Sequence, residues 1–509
     1  MRCEQPGIAG AEAPWRRLGR AGSVAERTSG SLIWLGLGAA TALGVVLRVV
    51  FIGDQSFGYE EWYTLAVVGH PSVGAVWRSV NATESTPPLY YLLTWLWVKV
   101  TASDTAVSLR MISLLAGSLT VPAAFLAMRS FFDRRLALVA AWLCAISPEL
   151  VGYSIYARSY ALLVLAATVS VWALGLLLEK PSRRRWVFWA MAATACLWTH
   201  YFAVFLIAAE TVALLVLFPQ QRRILLLALA VTAVASAPLV PLFVSQSGAS
   251  DRTAYIGASS LTTRLESTVR EFSMGSNVPT AWLEGTGIML VVAAAAFAAA
   301  RTYRRRSTRV LLAIAVIGGG LPILSALLGV DDHFLSRNIL GVWICLIPLA
   351  AYGLTRLKSI PLLAYSVICV VAVIWVEGDW RYQGAPDWGG ASARIQQRAA
   401  GDPVAVLPGI ELPVAALYLH RAQLSAPAHT SDLWVMVQPA RAAHERALNP
   451  VPDPPLTQLW GTGFREIGEI DYRGFRLIHL HAAAPTTVLP APPNDGPAVA
   501  RFALTLAAG

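Results

Sequence analysis

Between the first two strongly apolar runs of the chain lies a stretch, residues 53–104, that carries Glu60, Glu61 and Glu84 close to where apolar sequence resumes. A carboxylate beside hydrocarbon is expensive unless it is solvated or paired, so these groups are candidates for proton transfer or for binding. If Glu60 to Leu65 is helical, Glu60 and Glu61 point about 100° apart and cannot both face one site. One would then meet a substrate, and the other would serve structure or water. Other chemistry is thinner. Asp331, Asp332 and His333 are consecutive, and three adjacent residues rarely converge on one ion. His479 and His481 alternate on an expected strand and so share a face, but a zinc site would need a third ligand that the sequence does not make obvious. The cysteines, Cys3, Cys144, Cys196, Cys345 and Cys369, offer no disulfide framework. No required metal or other cofactor is expected, with a divalent ion left open.

The elements that must position these residues are membrane helices. The chain of 509 residues is 56% hydrophobic and only 14% charged, against about a quarter charged in soluble domains. That excludes a soluble enzyme. Its apolar residues gather in runs long enough to cross a hydrocarbon core of about 30 Å. The formal charge of +10 does not indicate nucleic acid, because the basic residues fall in short clusters between apolar runs: Arg129/Arg134/Arg135, Lys180 with Arg183 to Arg185, Arg222/Arg223, Arg301 to Arg309, and Arg356/Lys358. This is the signature of cytoplasmic loops under the positive-inside rule. The expected fold is an all-α polytopic membrane protein with about eleven spans, thirteen as an upper count: 31–52, 105–128, 136–151, 160–178, 186–199, 202–218, 224–244, 285–300, 310–329, 338–354 and 360–376. With residues 1–30 as a cytoplasmic lead, parity places the loop 53–104 and the tail 377–509 outside. Pro87 to Val100 is read as an interfacial helix, since Trp95, Trp97 and Lys99 suit the headgroup level. The tail reads as a small extracytoplasmic α/β module, with strands near Pro403–Leu407 and Phe475–His481, a helix near Ala391–Ala400, and a Pro-rich linker at 484–498.

The run GYEEWYTL, followed some twenty residues on by ESTPPLYY, resembles the D-E-x-W/Y-T and D-x-H-P-P-L-Y-Y pattern of GT-C glycosyltransferases that use polyprenyl-phosphate sugars. That family includes protein O-mannosyltransferases and the lipid A aminoarabinose transferase. The similarity continues through SLRMISLLAGSLTVPAAFLAMRSFF, ISPELVGYSIYARSYALL, WTHYFAVF and HFLSRNILGVWICLIPLAAYGL, and into PDWGGASARIQQRAAGDPVAVLPG. It covers most of residues 50–410.

The resemblance implies an integral-membrane, inverting glycosyltransferase of the cell membrane, with its active site on the extracytoplasmic face. The partners it implies are a polyprenyl-phosphate donor carrying a mannose-like sugar, an acceptor hydroxyl on a glycan, lipid or protein, and the bilayer. It places the general base on Glu60; substrate contacts are expected of Glu61, Glu84, Tyr90, Arg158, Tyr160, His200, Tyr201 and Arg337, with Glu84 either meeting the acceptor or orienting Glu60. The chemistry is coherent: a lipid phosphate is already a good leaving group, so one carboxylate base can suffice where a glycosidase needs two. Arginines near the phosphate would receive the developing charge in a bidentate fork. The plain alternatives are that Arg158 and Arg337 snorkel to the interface, that Tyr90 and Tyr91 belong to the aromatic belt, and that His200 only satisfies a helix end. The sequence departs from the pattern twice: Glu60 stands where aspartate is usual, and Thr86 where histidine precedes Pro-Pro. The first lengthens the arm of the base, and the second weakens a metal-ligand reading of the loop. Two rivals remain: a carrier or flippase of lipid-linked sugar, and a related protein that binds lipid sugar without transferring it. Only Lys99, Lys180 and Lys358 are lysines among 40 Lys and Arg, which with the alanine-rich spans suggests a high-GC bacterium.

Overall fold

The computed structural model describes residues 15–248, 256, 259–329, 332–356, 359–399, 401–407, 409–438, 463–488 and 504–506, with 15–30, 410 and 504–505 by backbone only. Helix α1 (Trp15–Val49) begins well before the expected first span, so part of the supposed lead is helical. Three short helices fill the first loop: α2 (Tyr59–Val68), α3 (Val73–Thr83) and α4 (Leu89–Thr101). At 13 residues, α4 is about 20 Å long, shorter than a crossing requires.

The bundle continues with α5 (Ala106–Arg129), α6 (Arg134–Ile146), α7 (Pro148–Ser154), α8 (Tyr160–Glu179), α9 (Arg183–Thr199), α10 (Ala203–Leu217), α11 (Arg222–Ser236) and α12 (Leu239–Ser247). After α13 (Leu261–Met274) come α14 (Ala281–Thr302), α15 (Arg306–Leu327), a 3₁₀ segment at Ser336–Val342, α16 (Trp343–Arg356) and α17 (Ile360–Gly378). Each of the eleven expected spans overlaps a helix, and two of them, 136–151 and 224–244, cross a break, the first at Ser147 and the second at Ala237 and Pro238. Among the described residues seven helices are long and apolar enough to cross a membrane, and nine if two bent pairs each count as one span. The chain is a multi-pass membrane protein.

One of those bends shows how charge enters the bundle. α6 and α7 meet at 56°, where Pro148 has no N–H to offer the carbonyl four residues back. Arg48, fully buried near the end of α1, fills that gap: it donates to the carbonyls of Cys144 at 3.4 Å and Ala145 at 3.1 Å, and to Ser154 Oγ at 2.9 Å. In hydrocarbon an unsatisfied carbonyl costs several kcal/mol, so a buried arginine is tolerated as the donor. Cys144, Cys196, Cys345 and Cys369 are all buried thiols, and Cys3 lies outside the described residues.

The tail folds as a mixed sheet under two helices, α18 (Trp388–Gln396) and α19 (Leu412–Leu419). Strands β1 (Val404–Leu407), β2 (Ala428–Val437), β3 (Phe464–Tyr472), β4 (Phe475–Val488) and β5 (Leu504–Leu506) take the order β3-β4-β2-β1-β5. Among the described residues only the β1–β2 pairing is parallel, with Val404 opposite Trp434. β3 and β4 form a hairpin whose two-residue turn, Arg473 and Gly474, has positive φ at both positions, as a primed turn demands. β4 runs to Val488, so the start of the expected linker is strand, and residues 489–498 lie outside the described residues. One sheet face, with Trp434, Met436, Phe475 and Leu477, joins α18 and α19 in a core that continues into Phe57 and Val68 of the first loop. The Tyr418 hydroxyl accepts from the Phe57 N–H at 2.8 Å, and Ser56 Oγ accepts from the Gly389 N–H at 3.1 Å. The module is therefore seated on the loop that carries Glu60.

Candidate functional site

The framework of the site is built by Glu61 and Arg110. Glu61 lies in the first turn of α2, and its Oε2 accepts from the Gly58 N–H at 3.1 Å, which starts the helix at Tyr59. Arg110, inside α5, donates to the same carboxylate through Nε at 2.8 Å and Nη2 at 2.6 Å. Its remaining donors hold the carbonyls of Ile52, Gln55 and Ser56. The Ala157 N–H supplies a fourth bond to Glu61, at 2.7 Å. Four donors on two oxygens leave the carboxylate saturated, and both side chains are 1% exposed. Glu61 thus stands in the scaffold rather than among groups open to a ligand, in line with the divergence of Glu60 and Glu61 on one helix.

Because Glu61 is tied to Ala157, the next residue on each side is brought together too: Glu60 meets Arg158. The Arg158 guanidinium lies with Nε 3.7 Å from Glu60 Oε2, and its Nη1 donates to the Glu60 carbonyl at 3.3 Å. Arg337, from the 3₁₀ segment, donates through Nη1 to Glu60 Oε1 at 3.0 Å. The Tyr156 hydroxyl donates to Glu60 Oε2 at 3.2 Å. Glu84 holds the far side of Arg158, with Nη1 3.0 Å from its Oε2, and accepts from the Tyr91 hydroxyl at 2.7 Å. The Tyr91 hydroxyl lies 3.0 Å from that of Thr86, which stands where the resembled pattern has histidine. The rings of Tyr91 and Tyr160 sit under Arg158 and Arg337, with centroids 5.9 and 5.8 Å from the guanidinium carbons. Burial alone would raise the Glu60 carboxyl, but the Arg337 and Arg158 charges outweigh it and hold the pKa down at about 2.

Of the remaining expected residues, His200 packs against Tyr160 at 6.1 Å between centroids and accepts the Phe202 N–H on Nδ1. Burial first, then Arg337 and Arg158, lower its pKa to about 3, so it is a neutral imidazole. Tyr90 and Tyr201 stand apart from Glu60. The Tyr90 hydroxyl lies 2.9 Å from Ser113 Oγ, which in turn donates to the Arg158 carbonyl. Tyr201 donates to Gln246, which ties it to α12. Asp332 forms a two-pronged pair with Arg264 at 2.6 Å for each contact, and Asp331 lies outside the described residues. His479 and His481 do have a third partner, since both reach Asp432 Oδ1, at 2.9 and 3.0 Å. They converge on one hydrogen-bonding oxygen, and among the described residues no group of three His, Cys, Asp or Glu is arranged to hold a metal ion.

Arg110 and Tyr156 were not singled out from sequence, and Tyr91 was weighed only with Tyr90 as an aromatic-belt residue. An arginine inside an apolar span is a signal in its own right, and it was there to read in SLRMIS. The two tyrosines carry no such mark, because they are placed by folding.

Residues 85–244 match the family described as dolichyl-phosphate-mannose-protein mannosyltransferase, a stretch that includes Glu210 and Arg158 but neither Glu60 nor Arg337. No curated protein sequence matches the chain. Among solved structures, the chain is similar to ArnT from Cupriavidus metallidurans bound to undecaprenyl phosphate, with a TM-score of 0.54 at 13% identity over 89% of this chain and 98% of that one. The same protein in its apo state gives a TM-score of 0.51. A third structure, the oligosaccharyltransferase of Archaeoglobus fulgidus complexed with zinc and sulfate, gives 0.47 at 14% identity over 71% of this chain, which spans 55% of its length. The fold is that of the GT-C glycosyltransferases.

Proposed function

We propose that this chain is an integral-membrane, inverting glycosyltransferase that moves a mannose-like monosaccharide from a polyprenyl-phosphate donor to an acceptor hydroxyl. The observation that carries the reading is the placement of one accessible carboxylate, 31% exposed, between two guanidiniums, within the fold of such enzymes. Glu60 takes the acceptor proton as the acceptor oxygen bonds to the anomeric carbon. The bond from that carbon to the phosphate oxygen breaks, and its electron pair leaves with the lipid phosphate. Arg158 and Arg337 take up the charge that develops there, so no protonated acid is needed. A single displacement of this kind inverts the anomeric centre. Glu61 and Arg110 keep the base and Arg158 in register, and Glu84 with Tyr91 keeps Arg158 from collapsing onto Glu60.

The extracytoplasmic face of the plasma membrane is supported by charge. Arg129 and Lys180 lie at the ends of α5 and α8 opposite those that bear Arg110 and Tyr160, and basic loops stay inside. A bacterial cell envelope suits both the composition and a lipid-linked donor.

The carrier reading gains one observation that the apolar sequence of the spans had obscured. Glu210, midway along α10, is a fully buried intramembrane carboxylate, the kind of group that marks transport paths. Its Oε2 accepts from Ser170 at 2.6 Å and Trp189 at 2.7 Å, which joins α8, α9 and α10 and gives it a structural task. The deciding experiment is transfer of labelled sugar from membrane polyprenyl-phosphate donors, comparing wild type with Glu60→Gln at matched expression. Loss of a general base should cut transfer by about 10²–10⁴-fold. Equal transfer by both proteins would remove Glu60 from that role, and labelled lipid crossing the bilayer with no transfer by either would favour the carrier.

A further inference from the structure

The two guanidiniums that the donor reading assigns to phosphate are already engaged by the base. Arg337 Nη1 is 3.0 Å from Glu60 Oε1, and Arg158 Nε is 3.7 Å from Glu60 Oε2. Of the Arg158 donors, Nη1 is shared between the Glu84 carboxylate and the Glu60 carbonyl, Nε faces Glu60, and Nη2 takes part in none of these contacts. A phosphate gripped through two donors would take the Nε and Nη2 edge, whose Nε now faces Glu60. Arg158 cannot follow Glu60 out of the way, because Glu84, 3% exposed and held by Tyr91, anchors its other end. Glu60 can move. It is the most exposed member of the group at 31%, and neither of its oxygens is bound to the backbone by any contact described above.

Charge gives the direction. Glu60, Glu84, Arg158 and Arg337 sum to zero, so the group is balanced as it stands. A phosphodiester monoanion brought to the arginines adds a negative charge beside Glu60, competes for the same donors and strengthens Glu60 as a base. Resting on the donor reading above, we propose that the donor phosphate displaces Glu60 from Arg158 and Arg337, so that the base is released only in the donor-bound protein. The ion cluster is then a latch: without donor the carboxylate is neutralised by arginine, and with donor the arginines serve the phosphate while the freed carboxylate faces the acceptor hydroxyl.

Competition for the same arginines has a consequence that a simple base does not share: removing the Glu60 charge should tighten binding of lipid phosphate while transfer is lost. The test is equilibrium binding of undecaprenyl phosphate to the full-length protein in nanodiscs, for wild type, Glu60→Gln and Glu60→Ala, with undecaprenol as the uncharged control. The expected result is binding about ten-fold tighter or more in both variants, from relief of like-charge competition at close range, and no change with undecaprenol. Equal or weaker undecaprenyl phosphate binding in both variants would overturn the latch while leaving the donor reading intact. Absence of phosphate-dependent binding in wild type and variants alike would overturn both. Parallel tightening with undecaprenol would also overturn the latch, since the gain would then owe nothing to charge.

Discussion

Glu60 and Glu61 are consecutive in one helix, and each is paired with arginine, yet their surroundings are opposite. Around Glu61 and Arg110 every donor has an acceptor and both side chains are 1% exposed. Around Glu60 the partners are more distant, at 3.0 to 3.7 Å, and both Glu60 and Arg337 keep about a quarter or more of their side-chain surface open, 31% and 26%. A sealed pair cannot exchange partners, so it serves as a joint. An open one can accept a new anion, a new proton or a new hydroxyl. Spare capacity and access, rather than the presence of an ion pair, divide scaffold from chemistry here.

The largest expected break in this comparison is in stability. Arg110→Ala leaves the Glu61 charge buried without its partner, which should cost about 3–5 kcal/mol. Glu60→Gln loosens a half-open cluster and should shift stability by no more than about 1 kcal/mol. Thermal unfolding of both variants in detergent measures the difference. An Arg110→Ala protein as stable as wild type would dissolve the distinction between the two pairs.

How much of this was legible in advance follows the same line. Hydropathy found the apolar helices, because a bilayer demands them whatever else they do, but not the number that cross, since among the described residues seven, or nine with the bent pairs, are long enough. The 100° between consecutive helical residues predicted that Glu60 and Glu61 would part, and the structure sends one to Arg110 and the other to Arg158 and Arg337. Helical geometry alone did not show which way each went, which only the resemblance assigned by placing the base on Glu60, since the parting is decided by Arg110, 49 residues on in α5. Tyr90 and Tyr91 show the same limit. Both are fully buried neighbours, but Tyr91 reaches Glu84 and Tyr90 reaches Ser113, a matter of helical phase relative to α5. In the tail, Pro403–Leu407 and Phe475–His481 were read as strands, whereas β2 and β3 between them were not. β3 is exposed along most of its length, so it lacks the apolar alternation that marks a half-buried strand.

A smaller effect sharpens the comparison through pH. The Glu60 carboxyl, at about 2, lies below its usual 4.5 because Arg337 and Arg158 overcome the effect of burial. Its ionised form therefore stabilises the fold above about 4.5, and that contribution is lost as pH falls through about 2. The profile of kcat/KM reports the free enzyme, so it should show no acid limb from Glu60 down to about pH 3. The profile of kcat reports the donor complex, and if phosphate takes the arginines there, as proposed, its acid limb should stand higher by about one unit or more. The neighbours do not confuse the reading. Tyr156 and Arg158 keep their protons in this range, and His200 is neutral above about 3. Coincident limbs in the two profiles would mean that the arginines never leave Glu60.

The smallest effect belongs to Tyr156, whose hydroxyl is the one uncharged donor to Glu60 described here, at 3.2 Å. Tyr156→Phe removes a neutral hydrogen bond worth about 0.5–1.5 kcal/mol and leaves the ring in place beside Gly58. Two consequences oppose each other: the carboxylate is less well oriented, but it also loses a donor that lowers its basicity. Transfer should fall only about 2–10-fold, in proportion to one such bond, and the acid limb of kcat should move to higher pH. Complete loss of transfer with folding and lipid binding intact would give Tyr156 a direct part in handling the acceptor, and would place it with Glu60 rather than among the groups that hold Glu60 still.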